Sequence, residues 1–153
     1  MKAVVQRVKD AKVVVDGETV GSIDHGLLVY LGVAETDNEE ISYKLASKIA
    51  KLRIFRDEND KMNLSVLDVK GKVLVISQFT LFADLHHGNR PSWNGAGNPQ
   101  LVNKLYEVFQ KDLIKLGIET EHGSFGAHMH VYYENDGPVT ILMDSYELFE
   151  SKN

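Results

Sequence analysis

At 153 residues, with 43% apolar and 25% charged side chains, the chain has the size and composition of one globular domain with a substantial core. It contains no cysteine, which excludes a disulfide framework, a thiol nucleophile and a thiolate zinc site. A net charge of −5 argues against a protein that coats nucleic acid through bulk electrostatics, yet leaves room for one that grips a single RNA end with a local basic patch.

The opening segment, Met1 to Arg7, lacks the long apolar core of a signal peptide, and the apolar run from Gly26 to Ala34 is too short to span a membrane. A soluble cytoplasmic protein is the expectation. The first predicted strands are Val4–Val8 and Lys12–Val15, followed by the turn Asp16-Gly17-Glu18 and a strand over Thr19–Ile23. Asp-Gly between alternating apolar runs is a strong hairpin signal. Leu27 to Leu31 is apolar on both faces, which predicts a central buried strand.

The first helix is predicted from Asn38 to about Leu52. Thr36 with Glu39 three residues later matches a capping box, and Ile41, Leu45, Ile49 and Leu52 share one face. Arg53-Ile54-Phe55 returns to strand. Asp57-Glu58-Asn59-Asp60 is a turn; it is acidic, but lacks the glycine and the distal glutamate of a helix-loop-helix calcium site.

Lys72 to Ile76 is a second strand apolar on both faces, ending in Ser77-Gln78-Phe79-Thr80-Leu81. From Asp84 to Gly97 runs a long polar, glycine-containing loop, of the kind that is commonly functional. The second helix opens cleanly, with Asn98 as N-cap and Pro99 at its first position, and stops at Gly117. Leu101, Leu105, Val108, Phe109, Leu113 and Leu116 form its predicted buried stripe. Strands follow over Ile118–Glu121, Ala127–Tyr133 and Val139–Met143, and Tyr146 to Asn153 reads as a polar tail after a single domain over 1–145. Many antiparallel strands with two long helices define an α+β class, a barrel-like sandwich with helices packed on the sheet.

Between the last two strands lies Asn135-Asp136-Gly137-Pro138. Asn, Asp and Gly supply turn chemistry, and proline cannot donate to a ladder, so the segment reads as a hairpin turn with a stop. A second reading stays open: X-Pro is the one linkage where a cis bond is readily used, and a cis Gly137-Pro138 would present its main chain as a rigid wall without side chains. Ser77 to Thr80 is equally two-sided on its own, being either the polar end of a strand or the edge of a site.

Taken together, the segments carry more. Ala3-Val4-Val5-Gln6-Arg7-Val8, Lys61-Met62-Asn63-Leu64-Ser65, Ser77-Gln78-Phe79-Thr80-Leu81, Gly88-Asn89-Arg90-Pro91-Ser92, Phe125-Gly126-Ala127 with Met129, and Asn135-Asp136-Gly137-Pro138-Val139-Thr140 occur in this order. The chain thereby resembles the D-aminoacyl-tRNA deacylase family from Met1 to about Ser145.

The resemblance implies an intertwined homodimer that hydrolyses the ester between a D-amino acid, or mischarged glycine, and the 3′-terminal adenosine of tRNA. It implies no cofactor, no metal, and neither a membrane nor a DNA partner. Gly137-Pro138 is expected to be cis and to reach into the partner subunit's pocket, lined by Ser77, Gln78, Phe79 and Thr80. Gln78 and Thr80 would orient substrate, and the amides of Phe79 and Thr80 would stabilise an oxyanion. Phe125, Gly126, Ala127 and Met129 would receive the terminal adenosine, with Arg7, Lys61 and Arg90 as candidate phosphate contacts.

The sequence departs from the family pattern at His86-His87, Trp93, His122 and His128. His128 and His130, two apart on a strand, share a face and offer the alternative of a metal pair lacking its third ligand. A further alternative is a tRNA-end or nucleotide-binding protein without turnover.

Overall fold

The computed structural model describes residues 1–150. Strand β1 (Lys2–Val15) is a single long strand where the sequence suggested two, and it organises the sheet. It pairs antiparallel with β2 (Glu18–Ile23) through the expected Asp16-Gly17 turn, with β3 (Gly26–Gly32), and along its other edge with β8 (His130–Asp144). Beyond β3 lie β6 (Lys72–Ser77) and β7 (Thr120–His122), in the order β2-β1-β3-β6-β7. A two-stranded ribbon of β4 (Phe55–Arg56) and β5 (Met62–Leu64) stands apart.

The sheet is largely antiparallel, as expected, but it is mixed, with parallel pairs at its centre and one edge. β3 pairs parallel with β6, and β6 parallel with β7. Each parallel step uses a helix as its crossover: α1 (Glu39–Ala50) between β3 and β6, and α2 (Pro99–Lys115) between β6 and β7. Apolar residues on both faces of β3 and β6 are the signature of such a parallel centre. The sheet curls until β2 approaches β7, so it is nearly closed. At Gly21 a Cβ would sit 2.3 Å from the His122 carbonyl oxygen, an approach only glycine permits.

Curling creates two cores. Leu27, Val29, Leu31, Val73 and Val75 face α1 and α2, where they meet Leu45, Ile49, Leu105 and Phe109. Leu28, Leu74 and Ile76 point the other way, into a smaller cluster with Val8, Ala11, Val13 and Ile23. Strand alternation thus sends neighbouring residues of one strand into different cores.

Both helix starts are set by asparagine. Asn98 Oδ1 accepts from the Leu101 amide at 3.0 Å, with Pro99 next, as expected. At α1 the cap is Asn38, accepting from the Ile41 amide at 2.9 Å, rather than Thr36. Gly117, at φ +95°, ends α2 as predicted. The buried stripe of α2 contains Val102 and Tyr106 beside Leu105, Phe109 and Leu113, while Leu101 and Leu116 sit at its margin.

Asn135 to Pro138 is not a hairpin turn. β8 runs on in one direction through the segment, still paired with β1, and the register shift between Gln6↔Thr140 and Val8↔Asn135 shows residues looped out of the ladder. After β8, in the expected polar tail, comes a short helical turn at Tyr146–Glu150; the tail's last residues lie outside the described ones.

Candidate active site

The parallel strand β6 ends at Ser77, and the chain turns into a short 3₁₀ helix, Phe79–Phe82. The Gln78 amide donates to the Leu31 carbonyl at 2.8 Å, fixing the exit from the sheet. Leu81 and Ala83 donate back along the turn, but among the described residues the amides of Phe79 and Thr80 have no acceptor. Unpaired amides at a helical start are ready donors for an oxygen carrying negative charge.

These groups border a hollow of about 570 Å³. It unites Ser77, Gln78 and Phe79 with Phe125, Gly126, Ala127 and Met129, residues far apart in sequence. Phe125 and Gly126 form an exposed turn whose amides likewise lack acceptors among the described residues, and Gly126 adopts φ +78°. Thr80 stands just outside the hollow, and its Oγ1 accepts from Gln78 Nε2. No histidine or carboxylate is hydrogen-bonded to Thr80 among the described residues, so its hydroxyl lacks the base that a nucleophile needs.

Sequence reasoning passed over several walls of this hollow. Val102 and Pro99 from the start of α2, Ala96 and Gly97 from the preceding loop, and the ring of Trp93 line it, with Ile76, His128 and Val131. Beneath it, Tyr106 donates its hydroxyl to the Val75 carbonyl at 2.9 Å, and burial pushes its phenol up to about 12, so it remains a donor at neutral pH. The alternation of apolar positions on α2 could have revealed Val102 and Tyr106. Nothing local marks Ala96 or Gly97.

Gly137-Pro138 does not line its own chain's hollow. Its peptide bond is cis, Gly137 has φ +131°, and both residues are exposed. The segment is fastened from behind. Arg7, 4% exposed, donates Nε to the Asp136 carbonyl at 3.1 Å and Nη1 to the Ile54 carbonyl at 2.7 Å. Asn135 accepts from the Val139 amide at 3.0 Å and donates to Thr140 Oγ1 at 3.1 Å, which also receives Gln6 Nε2 at 3.1 Å. Arg7 is therefore a buried brace, which corrects its assignment as a phosphate contact. The sequence held the signal: Arg7 falls in phase with Ala3 and Val5 on the buried face of β1.

The remaining candidates lie apart from the hollow, except His128, which lines it. Arg90 lies on the exposed loop and Lys61 on the turn before β5, both on the surface. Asp57 Oδ1 accepts from the amides of Asn59 and Lys61, bonds that hold its carboxyl below the usual range and tie it to its own turn. Asp84 likewise accepts from the amide and ring of His86. His128 and His130 have ring centroids 5.0 Å apart, and no third His, Cys, Asp or Glu joins them in a ligand set among the described residues. No helix among those residues is long and apolar enough to cross a membrane.

A nearly closed mixed sheet with two crossover helices, a hollow edged by free amides at a strand end, and a braced Gly-Pro excursion define an α+β protein with an enzyme-like site. Residues 4–144 match the family described as D-Tyr-tRNA(Tyr) deacylase, and the chain belongs to that family. It is 54% identical over 149 residues to the D-aminoacyl-tRNA deacylase of Thermosipho africanus (strain TCF52B), spanning 97% of this chain and all of that one. It is 56% identical over 145 residues to the enzyme of the same name from Lacticaseibacillus casei (strain BL23), spanning 95% and 98%. Among solved structures it is similar to the c-Myc DNA unwinding element binding protein, with TM-score 0.89 and 39% identity over 94% of this chain and 98% of that one. A probable eukaryotic D-amino acid tRNA deacylase shares the fold at TM-score 0.80 and 14% identity, over 93% and 97%.

Proposed function

We propose that this chain removes D-amino acids from tRNA by hydrolysing the ester to the 3′-terminal adenosine, and that it works in the cytoplasm as a homodimer with two shared sites. The observation that carries this reading is the Gly137-Pro138 segment, exposed on its own chain yet pinned by Arg7 and Asn135. A main-chain surface held from behind and unused by its own hollow is suited to closing the hollow of a second subunit. There it has no side chain to swing aside, so an L-substituent at the substrate's α-carbon strikes backbone atoms, while a D-substituent points out. Apolar pocket contacts alone discriminate only about 10–200-fold per methylene. Glycine, with nothing to exclude, enters.

In the chemical step, water adds to the ester carbonyl, the bond from carbonyl carbon to ribose oxygen breaks, and that oxygen takes up a proton. The amides of Phe79 and Thr80 receive the oxyanion, Gln78 and Thr80 orient the ester, and the neighbouring 2′-hydroxyl of the RNA helps to activate the water. Phe125, Gly126, Ala127 and Met129 receive the adenosine, and Ser77 borders it.

The test is to follow ester loss from D-Tyr-tRNA and L-Tyr-tRNA, with and without a chelator. Loss of the D-ester alone, unaffected by chelation, is expected. Binding without turnover would instead mark a tRNA-end-binding protein, and abolition by the chelator would move the chemistry to His128 and His130. A 2′-deoxy terminal adenosine should be a poor substrate; normal turnover on it removes the 2′-hydroxyl from the mechanism.

A further inference from the structure

In one subunit taken alone, three aromatic rings around the hollow are uncovered: Phe79 at 52%, Phe125 at 39% and Trp93 at 37% exposure. They fall into two separate pairs. Phe125 lies 6.2 Å from Tyr106, beside the free amides of its own turn. Phe79 and Trp93 meet edge to face, with centroids 4.9 Å apart and planes inclined at 69°. Trp93 buries the larger part of its ring, yet the part it leaves open lies at the edge of a cavity, and that placement has a reason.

Loose placement is not the reason, because the backbone around Trp93 is pinned on both sides. Ser92 exchanges two hydrogen bonds with Asp84, at 2.8 and 3.0 Å. The Trp93 carbonyl accepts from the Ala96 amide at 3.0 Å, Ala96 bridges Ala34, and the Gly97 amide donates to the Val33 carbonyl at 2.9 Å. An exposed aromatic ring on a fixed backbone is a pre-organised stacking surface: little freedom remains to be lost when a flat ligand settles on it.

We infer that Trp93, steadied by the Phe79 ring, is the stacking platform for the nucleobase that precedes the terminal adenosine of the RNA. The inference rests on the tRNA-end reading above and extends it by one nucleotide. The Phe125 turn offers a ring face together with unpaired amides, which suits a base read along its polar edge. The Trp93–Phe79 pair offers ring surface, which suits a base that is held by stacking and not read. The D-side chain does not compete for this surface, since it points out of the site.

Trp93 is the chain's only tryptophan, so its emission reports the platform directly. Titrating the intact protein with the dinucleotide cytidylyl-(3′→5′)-adenosine should quench Trp93, while saturating adenosine or D-tyrosine should quench it much less. Equal quenching by adenosine alone would make Trp93 the seat of the terminal base, and equal quenching by D-tyrosine the seat of the side chain; either overturns the inference. In kinetics, the wild type should prefer D-tyrosyl-cytidylyl-adenosine over D-tyrosyl-adenosine, chiefly through KM. Trp93→Ala should shrink that preference by roughly 5- to 150-fold, and Trp93→Phe should restore most of it. An unchanged preference in a folded Trp93→Ala protein overturns the platform. Should the deacylase reading itself be wrong, the wild type will turn over neither ester, and the fluorescence titration, which needs no turnover, still decides for or against the platform.

Discussion

The hollow opens at the end of β6, whose Leu74 and Val75, with Leu27, Leu28 and Val29 of the neighbouring β3, are fully buried. The Gly137-Pro138 segment stands in the open and is held by hydrogen bonds, chiefly those of one buried cation. Apolar packing spreads its hold over dozens of weak contacts, so no single atom decides it. A polar brace concentrates the hold in a few bonds, each of which leaves an unpaired buried group behind when lost. The first region should tolerate change gradually and the second abruptly.

The sharpest way to break that contrast is Arg7→Ala. It strips the carbonyls of Asp136 and Ile54 of their charged donor and should destabilise the fold by about 3 kcal/mol, with deacylation lost, as read by urea unfolding and ester hydrolysis. Arg7→Lys keeps the charge but not the fork, and should recover little. A variant that keeps both stability and turnover would remove the brace from the account.

Gly137→Ala acts on the same segment more locally. At φ +131° a side chain is strained, and its Cβ would meet Arg7 Nη2 and the Val139 Cγ2 methyl at 3.0 Å. A penalty of about 1–2 kcal/mol should lower the melting temperature by about 2–8 °C, and the displaced segment should cost roughly tenfold in turnover. Thr80→Ala tests the other region. Losing one neutral hydrogen bond to Gln78 should slow kcat by roughly 3- to 10-fold; complete loss in a folded protein would make Thr80 the nucleophile instead of an orienting group.

The smallest effect concerns a polar group within the packed region. Asp112 is 7% exposed on α2, accepts from Ser42 Oγ at 3.0 Å, and burial raises its carboxyl above the usual value. The folded protein therefore holds that proton more tightly than the unfolded chain. Stability should fall as pH rises through the window between the ordinary carboxylate value and the raised one. Asp112→Asn keeps an acceptor for Ser42 and should flatten that fall in a pH series of thermal melts.

Legibility in the sequence followed the range of the deciding interaction. Asn98-Pro99 and Gly117 act within one helical turn, and their residue types announced both ends of α2. The hairpin of β1 and β2 was equally local. The direction of the chain after Asn135 was not, because Asn-Asp-Gly chemistry serves a reversal and an excursion alike, and the choice is made by pairing with β1 at the other end of the chain. The parallel pairing of β6 with β7 depends on position alone, because β7 is three polar residues long, whereas the two apolar faces of β3 and β6 did carry a parallel signal. Of the site, the Ser77–Phe79 and Phe125–Met129 segments were legible as motifs, but Ala96, Gly97 and Val102 are ordinary residues made relevant by folding.

Arg7 grips main-chain oxygens at both ends, those of Ile54 and Asp136. Every amino acid carries that oxygen, so the two hydrogen bonds themselves ask nothing of the side chains at 54 and 136; what constrains those is the core around Ile54 and the Asp136 carboxylate, 3.6 Å from Arg7 Nε. Across diverging descendants of this chain, the two main-chain hydrogen bonds are thus indifferent to the side chain at either anchor and hostage to a single codon.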